Sequence, residues 1–199
     1  METNIPLNYV DALETKRHIL LFYDNIEIAR LVMYRFIKNG LIKGEHCLFA
    51  TDDDPAETVI RMLMFGIPLA DFTNKKLHVY NIYKRSTKLE DIIENSKRDF
   101  TKILSSMNSP FRIVARIVPM IDTRKGITME LELERQAHRY FDNFTGSIMC
   151  PYDVSKIENS EKRKWIEELR ENHHETIYIP KSGWGEVFFQ ESELVPYIH

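Results

Sequence analysis

The turn after the first predicted strand lacks the groups that bind nucleotide phosphates. An apolar run over residues 18–23 is typical of a buried strand, and helical apolar spacing begins at Ile28. The turn at residues 23–26 reads Tyr-Asp-Asn-Ile, without a glycine and without a lysine followed by serine or threonine. A nucleotide-binding α/β domain needs glycines there, because backbone N–H groups must approach the phosphates. The turn therefore favours a sensor or binding module over an NTPase.

Aromatic and acidic residues stand at the ends of the predicted strands, where parallel sheets bind ligands. Tyr23 and Asp24 end the first strand, and Tyr152 and Asp153 end the fifth. A phenol has an apolar body and a polar tip, which suits a small and partly apolar ligand. Asp24 is equally suited to N-cap the following helix. Together with Cys150, these side chains are expected to line one crevice, unless the aspartates cap helices and the tyrosines fill the space between them.

Charged side chains in apolar surroundings are further candidates. Arg116 lies within the fourth predicted strand and needs a partner carboxylate, for which Glu134 and Asp153 are available. Such a pair is as suitable for a structural ion pair as for a ligand clamp. Glu130, Glu132 and Glu134 belong to a predicted helix, where a solvated face is the usual position for glutamates, although their period of two leaves a strand extension open.

The cysteines and histidines show no metal-binding pattern. Cys47 and Cys150 lie in apolar runs and resemble buried hydrophobic residues, although Cys150 precedes a polar strand end where a thiolate can meet solvent. His18 begins its strand, away from the expected ligand edge, and either bonds a carbonyl or contacts a ligand. His173 and His174 are expected to end a helix. Without Cys-x-x-Cys or a histidine pair at helical spacing, we predict neither a metal nor a cofactor.

Enzyme motifs are also missing from the sequence. It contains no Gly-x-Ser-x-Gly nucleophile elbow and no Asp-Phe-Gly or His-Arg-Asp kinase element. No set of nucleophile, base and orienting residue emerges, so a non-enzymatic function is favoured.

Strand and helix patterns alternate along the chain. This alternation predicts an α/β fold with a mostly parallel sheet and helices on both faces. The near-continuous apolar strands that begin near residues 18, 46 and 147 are expected inside the sheet rather than at an edge. The predicted strands are 18–23, 46–51, 77–82, 111–118, 146–152, 175–179 and 187–190, and the predicted helices are 27–39, 55–65, 88–107, 128–144 and 158–170.

Composition is that of an ordinary globular protein. The 199 residues are 43% hydrophobic and 29% charged, which suits one domain at 16–199 after an N-terminal extension at 1–15. A net charge of -3 gives no reason to expect nucleic acid as a partner. No apolar run approaches the roughly 18 residues of a membrane span, and no signal peptide is recognised. Two cysteines in apolar runs suit a reducing cytoplasm.

Several motifs resemble those of one family, the methanogen/methylotroph DcmR-type sensory domain, or MEDS domain. Residues 18–23 match its His-x-x-x-Phe-Tyr motif, and residues 36–48 resemble its helix–Gly-Leu–x–x–Gly-Glu–x–Cys–strand passage. Residues 132–134 and 147–153 are similar to its acidic helix followed by a Cys-x-Tyr-Asp strand end. The similarity extends over about residues 16–180, and Glu134 aligns with the acidic position.

This resemblance implies a RecA/KaiC-like three-layer sandwich that has lost its phosphate-binding loop. It also implies a role in prokaryotic signalling, in which small hydrocarbon derivatives are sensed. Such domains are often joined to a histidine kinase or a DNA-binding domain, and no such segment is recognisable here. The output is therefore expected in trans, through a histidine kinase or transcription regulator, or through a homodimer.

The favoured hypothesis is a non-enzymatic cytoplasmic sensor that binds a small molecule at the carboxyl edge of its sheet. Two alternatives remain open at this point: a degenerate RecA-like nucleotide-binding module, and an interaction protein with a filled crevice. The candidate ligand-binding residues are His18, Tyr23, Asp24, Arg116, Glu134, Cys150, Tyr152 and Asp153.

Overall fold

A computed structural model describes residues 5–14, 16–82, 88–183 and 185–189, which form a central sheet between two layers of helices. The strands are β1 His18–Tyr23, β2 His46–Thr51, β3 Leu77–Asn81, β4 Phe111–Val114, β5 Gly146–Asp153, β6 Glu175–Ile179 and β7 Glu186–Phe189. The α-helices are α1 Ile5–Ala12, α2 Ile26–Ile42, α3 Pro55–Met64, α4 Leu69–Thr73, α5 Leu89–Ser105, α6 Arg124–Arg139 and α7 Lys162–Glu171. Short 3₁₀ turns follow α6 and β5, at Phe141–Asn143 and Val154–Lys156.

The sheet has the order β3-β2-β4-β5-β1-β6-β7. All neighbouring strands are parallel except β7, which runs antiparallel to β6. Strands β1, β2 and β5 each pair on both sides, as their apolar sequences predict. The predicted mostly parallel α/β sheet is therefore confirmed. Gln190, the predicted end of the seventh strand, lies outside the described residues.

Strand β1 contributes side chains to both helical layers. Ile19 and Leu21 pack into one apolar cluster, which includes residues of α1, α2 and α3. Leu20 and Phe22 pack into a second cluster, with residues of α5, α6 and α7. This follows from the two-residue period of a strand, in which successive side chains point to opposite faces. The same period decides which face each candidate site residue meets.

Several element boundaries differ from those predicted. Helix α6 begins four residues early, because Thr123 N-caps it through its hydroxyl oxygen and the Gly126 N–H. Strand β4 ends at Val114, so Arg116 lies beyond it rather than inside it. Among the apolar residues that suggested a longer strand, Ala115 still donates to the Met149 carbonyl of β5 at 3.1 Å, whereas Val118 is fully buried and its N–H donates to the Glu130 carboxyl group. Helix α4, which is only five residues long, was not predicted.

The predicted N-terminal extension contains helix α1, which packs on α2. Val10 and Leu13 are buried in the core beneath it. Arg35 of α2 donates two hydrogen bonds to the Asp11 carboxylate, at 2.6 and 2.9 Å. The described part of the extension therefore contributes to the hydrophobic core. None of the helices in the described ranges is both long and apolar enough to cross a membrane.

Helix α2 continues through Gly40, where the sequence predicted its end. A Cβ at Gly40 would lie 2.6 Å from Cδ and 2.9 Å from Cβ of Arg112. Arg112 is buried and donates to both oxygens of Glu45, at 2.7 and 2.8 Å. Gly40 is thus present for the close approach of this arginine. Gly44, with φ of 81°, provides the left-handed residue shortly after the helix.

Replacing Gly40 with alanine should destabilise the protein, although alanine is the better helix former. Overpacking against Arg112 costs about 1–3 kcal/mol, which exceeds the ~1 kcal/mol that alanine gains inside a helix. Urea unfolding of Gly40→Ala measures the difference. The control is Ile42→Ala, because Ile42 is exposed in the same helix and its loss should change stability by no more than about 0.5 kcal/mol. A Gly40→Ala protein more stable than the parent would contradict the packing argument.

Candidate functional site

Six polar side chains lie buried between the sheet and helices α6 and α7. They come from β1, α6, β5 and the turn that precedes β6, and each is at most 5% exposed. This group, named the buried cluster from here on, consists of His18, Glu130, Glu134, Cys150, Tyr152 and His173.

The periodicity of two elements aligns four of these residues. Glu130 and Glu134 are four residues apart on α6 and therefore share one helix face. Cys150 and Tyr152 are two residues apart on β5 and point to the same face of the sheet. The solvated helix face expected for the two glutamates is therefore wrong, because it is Glu132, between them, that points to solvent.

The Tyr152 hydroxyl connects the two glutamates. It lies 2.7 Å from Oε1 of Glu130 and 2.5 Å from Oε1 of Glu134. Burial and the nearby charge of Glu134 raise the pKa of Glu130 to about 8, so this carboxyl group is protonated at neutral pH. Its O–H then donates to Tyr152, whose own O–H donates to the Glu134 carboxylate. Glu130 Oε2 accepts the Val118 N–H at 3.1 Å, which leaves the chain of hydrogen bonds satisfied.

The other carboxylate oxygen of Glu134 meets two imidazoles and a thiol. Oε2 lies 3.2 Å from Nε2 of His18, 3.5 Å from Nε2 of His173 and 3.7 Å from Sγ of Cys150. Burial alone would raise the pKa of Glu134, but the neighbouring histidines and Tyr152 lower it below its usual value. Burial and then His18 lower the pKa of His173 to about 3, whereas burial and then the charge of Glu134 raise the pKa of the Cys150 thiol.

A second feature, the edge pocket, lies at the carboxyl ends of the strands beside the first turn of α2. It is a cavity of about 50 Å³. Its apolar and aromatic walls include Tyr23, Ile26, Met33, Tyr34, Phe49 and Ile82, and its charged lining consists of Arg30, Asp52, Asp53 and Arg116.

The charges of the edge pocket are paired. Arg116 lies 3.3 Å from Asp52, and Arg30 donates to Asp53 at 2.8 Å. Burial raises the pKa of Tyr23 to about 12, although Arg116 opposes this. Tyr23 therefore stays neutral at physiological pH, and the pocket offers a neutral phenol and two arginine–aspartate pairs.

The structure divides the predicted site residues between the two features. Tyr23 and Arg116 line the edge pocket, whereas Cys150 and Tyr152 belong to the buried cluster. The expectation of a single crevice is wrong, because the side chains of β5 that face α6 cannot also face the pocket beside α2. Pro151, the residue between Cys150 and Tyr152, lines the pocket instead.

The two aspartates of the predicted crevice have structural contacts. Asp24 accepts the Tyr178 hydroxyl at 2.5 Å, while Asn25 caps α2. Asp153 caps the 3₁₀ turn after β5 by accepting the Ser155 N–H at 3.0 Å. The prediction that the aspartates cap helices is therefore correct for Asp153. Asp24 is not a cap, because Asn25 caps α2.

The partner expected for Arg116 is also wrong. Its carboxylate is Asp52, at the end of β2, and not Glu134 or Asp153. Glu134 lies on the face of α6 that packs against the sheet. It therefore meets His18 and His173 rather than an arginine at the strand ends.

Sequence reasoning missed His173 and Glu130. The adjacent His173 and His174 lie after α7 rather than in it, and they meet β1 differently. His174 Nδ1 accepts the His18 backbone N–H at 2.9 Å, while the His173 ring lies 4.0 Å from that of His18. The available signal was a histidine pair directly before a strand that neighbours β1.

Cys47 lies in the opposite apolar cluster, and both thiols are free, as the apolar runs predict.

The sequence profile of the methanogen/methylotroph, DcmR sensory domain, abbreviated MEDS, matches residues 17–174. The chain belongs to the MEDS family. No curated protein matches this MEDS chain significantly in sequence.

Solved structures show the fold of this MEDS protein. A KaiC-like protein from the hyperthermophilic archaeon Pyrococcus horikoshii OT3 is 14% identical and has a TM-score of 0.58, with 88% of this chain and 80% of that chain covered. A second protein of the same organism is 12% identical and also has a TM-score of 0.58, with 96% and 94% covered. At these identities the similarity concerns the fold alone, and it confirms the expected RecA/KaiC-like architecture.

The two buried glutamates should respond differently to replacement by glutamine. In Glu130→Gln, the amide N–H can donate to Tyr152 while the amide oxygen still accepts from Val118, so stability should change by less than about 1 kcal/mol. Glu134→Gln places an amide N–H against the Tyr152 hydroxyl, or against the Cys150 thiol and the His18 imidazole, where the native carboxylate accepts, and should lose about 1–3 kcal/mol more. Urea unfolding at pH 7 of both variants provides the comparison. An equal loss in both would mean that Glu130 is ionised in the native protein.

Proposed function

We propose that this MEDS protein is a non-enzymatic, cytoplasmic sensor of a small uncharged or weakly polar molecule that binds in the edge pocket. The observation that carries the proposal is the composition of the pocket at the carboxyl edge of the sheet. Open α/β sheets commonly bind their ligands at this edge. Membership of a sensory domain family supports the general role of a signalling module.

The volume of the pocket restricts the size of the ligand. A cavity of about 50 Å³ is several times the roughly 10–15 Å³ that holds one water molecule. It is far below the roughly 300 Å³ at which pockets for drug-sized ligands begin. A molecule of a few heavy atoms fits this space, in agreement with the small hydrocarbon derivatives that the family resemblance implies.

The charges of the pocket restrict its chemistry. Two arginines are matched by two aspartates, so the lining carries no excess charge. An anion would have to compete with Asp52 and Asp53 for the guanidinium groups. A small molecule with one polar group and an apolar body meets both the aromatic walls and the paired charges without this competition.

The nucleotide-binding alternative is disfavoured by the first turn of α2. The Asn25 side-chain oxygen accepts the N–H groups of Glu27 and Ile28, both at 3.2 Å. These are the backbone donors that a phosphate would need at a helix N-terminus. The described residues that line the pocket also include neither a glycine nor a lysine.

Signalling would require that the ligand binds two conformations with different affinity. Arg116 lies on the segment between β4 and α6, and its contact with Asp52 connects this segment to the end of β2. A ligand that inserts beside Arg116 would stabilise one position of the segment over another. The output would pass to a histidine kinase or a transcription regulator in trans, or to a second copy of the chain.

Replacement of Tyr23 tests the pocket. We expect that at least one member of a panel of one- to three-carbon alcohols, aldehydes and chloroalkanes raises the melting temperature of the parent protein, since a ligand that binds only the native state stabilises it. Tyr23→Ala should abolish that increase while it costs less than the roughly 3–5 kcal/mol of a fully buried aromatic residue.

The matched control is Tyr140→Ala, because Tyr140 is 62% exposed and is not among the residues that line the pocket. It should keep the ligand response of the parent. A Tyr23→Ala protein that is strongly destabilised but still responds to the ligand would exclude the edge pocket as the binding site.

Nucleotides should not bind tightly. Because Asn25 already occupies the N-terminal amides of α2, isothermal titration with ATP and Mg²⁺ is expected to show no micromolar affinity, and phosphate release should stay at the buffer background. Micromolar affinity that depends on Mg²⁺ would favour the degenerate nucleotide-binding module instead.

A further inference from the structure

The buried cluster holds a second set of chemical groups, on the opposite face of the sheet from the edge pocket. We propose that His18, Glu134, Cys150 and His173 bind one divalent transition-metal ion, for which Zn²⁺ is the best match. These four residues come from four separate elements of the chain and converge in the fold. Their nitrogen, oxygen and sulfur ligand atoms all lie within 4.8 Å of one another.

Four of the six distances between the ligand atoms lie close to the edges of a zinc tetrahedron, and the other two are within 4.8 Å. Zinc bonds of about 2.0 Å to nitrogen and oxygen and about 2.3 Å to sulfur give tetrahedral edges of roughly 3.3–3.6 Å. The Glu134 Oε2 edges are 3.2 Å to His18, 3.5 Å to His173 and 3.7 Å to Cys150. The edge between His18 Nε2 and Cys150 Sγ is 3.4 Å. The distances from Glu134 Oε2 are longer than charge-assisted hydrogen bonds to a carboxylate, which measure about 2.7–2.9 Å.

The tautomer of His173 directs a lone pair into the cluster. Its Nδ1 lies 2.6 Å from the Leu169 carbonyl oxygen, and a carbonyl only accepts, so Nδ1 carries the proton. In the neutral ring, Nε2 then presents its lone pair toward the Glu134 carboxylate oxygen, 3.5 Å away. Two electron-rich atoms that face each other in a buried site are stabilised by a cation between them.

The charges of the four ligands balance a dication. A thiolate at Cys150 and the carboxylate of Glu134 supply two negative charges, and the two imidazoles bind as neutral ligands. The occupied site would be neutral overall, as a site with side chains at most 5% exposed requires. The thiolate and imidazole ligands select zinc or a similar transition metal over Mg²⁺ and Ca²⁺, which prefer oxygen.

Outer contacts already orient two of the ligands. The Leu169 carbonyl fixes the His173 ring, and the Tyr152 hydroxyl donates to the Glu134 oxygen that does not face the other ligands, at 2.5 Å. Such second contacts are typical of metal sites. With four protein ligands and no exposed edge, the site is closed, which is the form of structural rather than catalytic zinc. It would join β1, β5, α6 and the turn before β6.

Cobalt substitution tests this assignment through the sulfur ligand. The full chain, without an affinity tag, is produced in zinc-depleted medium supplemented with Co²⁺. We expect one cobalt per chain, visible d–d absorption of tetrahedral intensity and a thiolate-to-cobalt charge-transfer band in the near ultraviolet. Protein from zinc-containing medium should carry one zinc per chain. Parent protein without bound metal or without the charge-transfer band would overturn the proposal.

The second cysteine supplies the matched control. Cys47 is buried in the other apolar cluster, so Cys47→Ala should keep one cobalt per chain and the full charge-transfer band. Cys150→Ala should lose the band and most of the bound metal. If Cys150→Ala does not fold, Cys47→Ala still decides, because Cys150 is then the only thiol present. Loss of the band in Cys47→Ala would refute the proposed ligand set. Both outcomes are independent of ligand binding in the edge pocket.

Discussion

The burial of the Glu134 carboxylate is the constraint around which one half of the molecule is organised. A carboxylate in an apolar interior costs several kcal/mol unless hydrogen bonds or opposite charge compensate it. The compensating groups come from separate elements: Tyr152 from β5, His18 from β1 and His173 from the turn before β6. Helix α6 can therefore lie on the sheet only where these strands are already in register. The stability of the buried carboxylate thus depends on the arrangement of the strands that carry its partners.

The sheet keeps the buried cluster and the edge pocket apart. Tyr23 and Cys150 lie on adjacent paired strands, yet they face different helical layers. A parallel sheet of this kind supports a polar interior on one face and a small cavity on the other without shared side chains. The likeness to KaiC-like folds extends to this architecture, while Asn25 occupies the helix amides that would receive a phosphate.

A second buried ion pair shapes the other helical layer. Arg112 of β4 is held by both oxygens of Glu45 and lies over the Phe36 ring at 4.9 Å. Its side chain passes so close to α2 that only a glycine fits at position 40. The pair connects the loop between α2 and β2, which contains Glu45, to the interior strand β4. Breaking it from either side would leave an uncompensated buried charge, which is more costly than its formation is favourable.

The sequence by itself determined the order of strands and helices, the parallel sheet and the absence of a phosphate-binding turn. These features depend on apolar periodicity and on turn residues, which are local along the chain. Only the tertiary structure decided which side chains meet. Glu130 and Glu134 had the pattern of a solvated helix, and His173 that of a helix end, because neither pattern records the strand against which it packs. Arg116 likewise found Asp52 rather than Glu134. Contacts between residues far apart in sequence arise from strand order and from the face on which each side chain lies, and a one-residue difference in position moves a side chain to the opposite face.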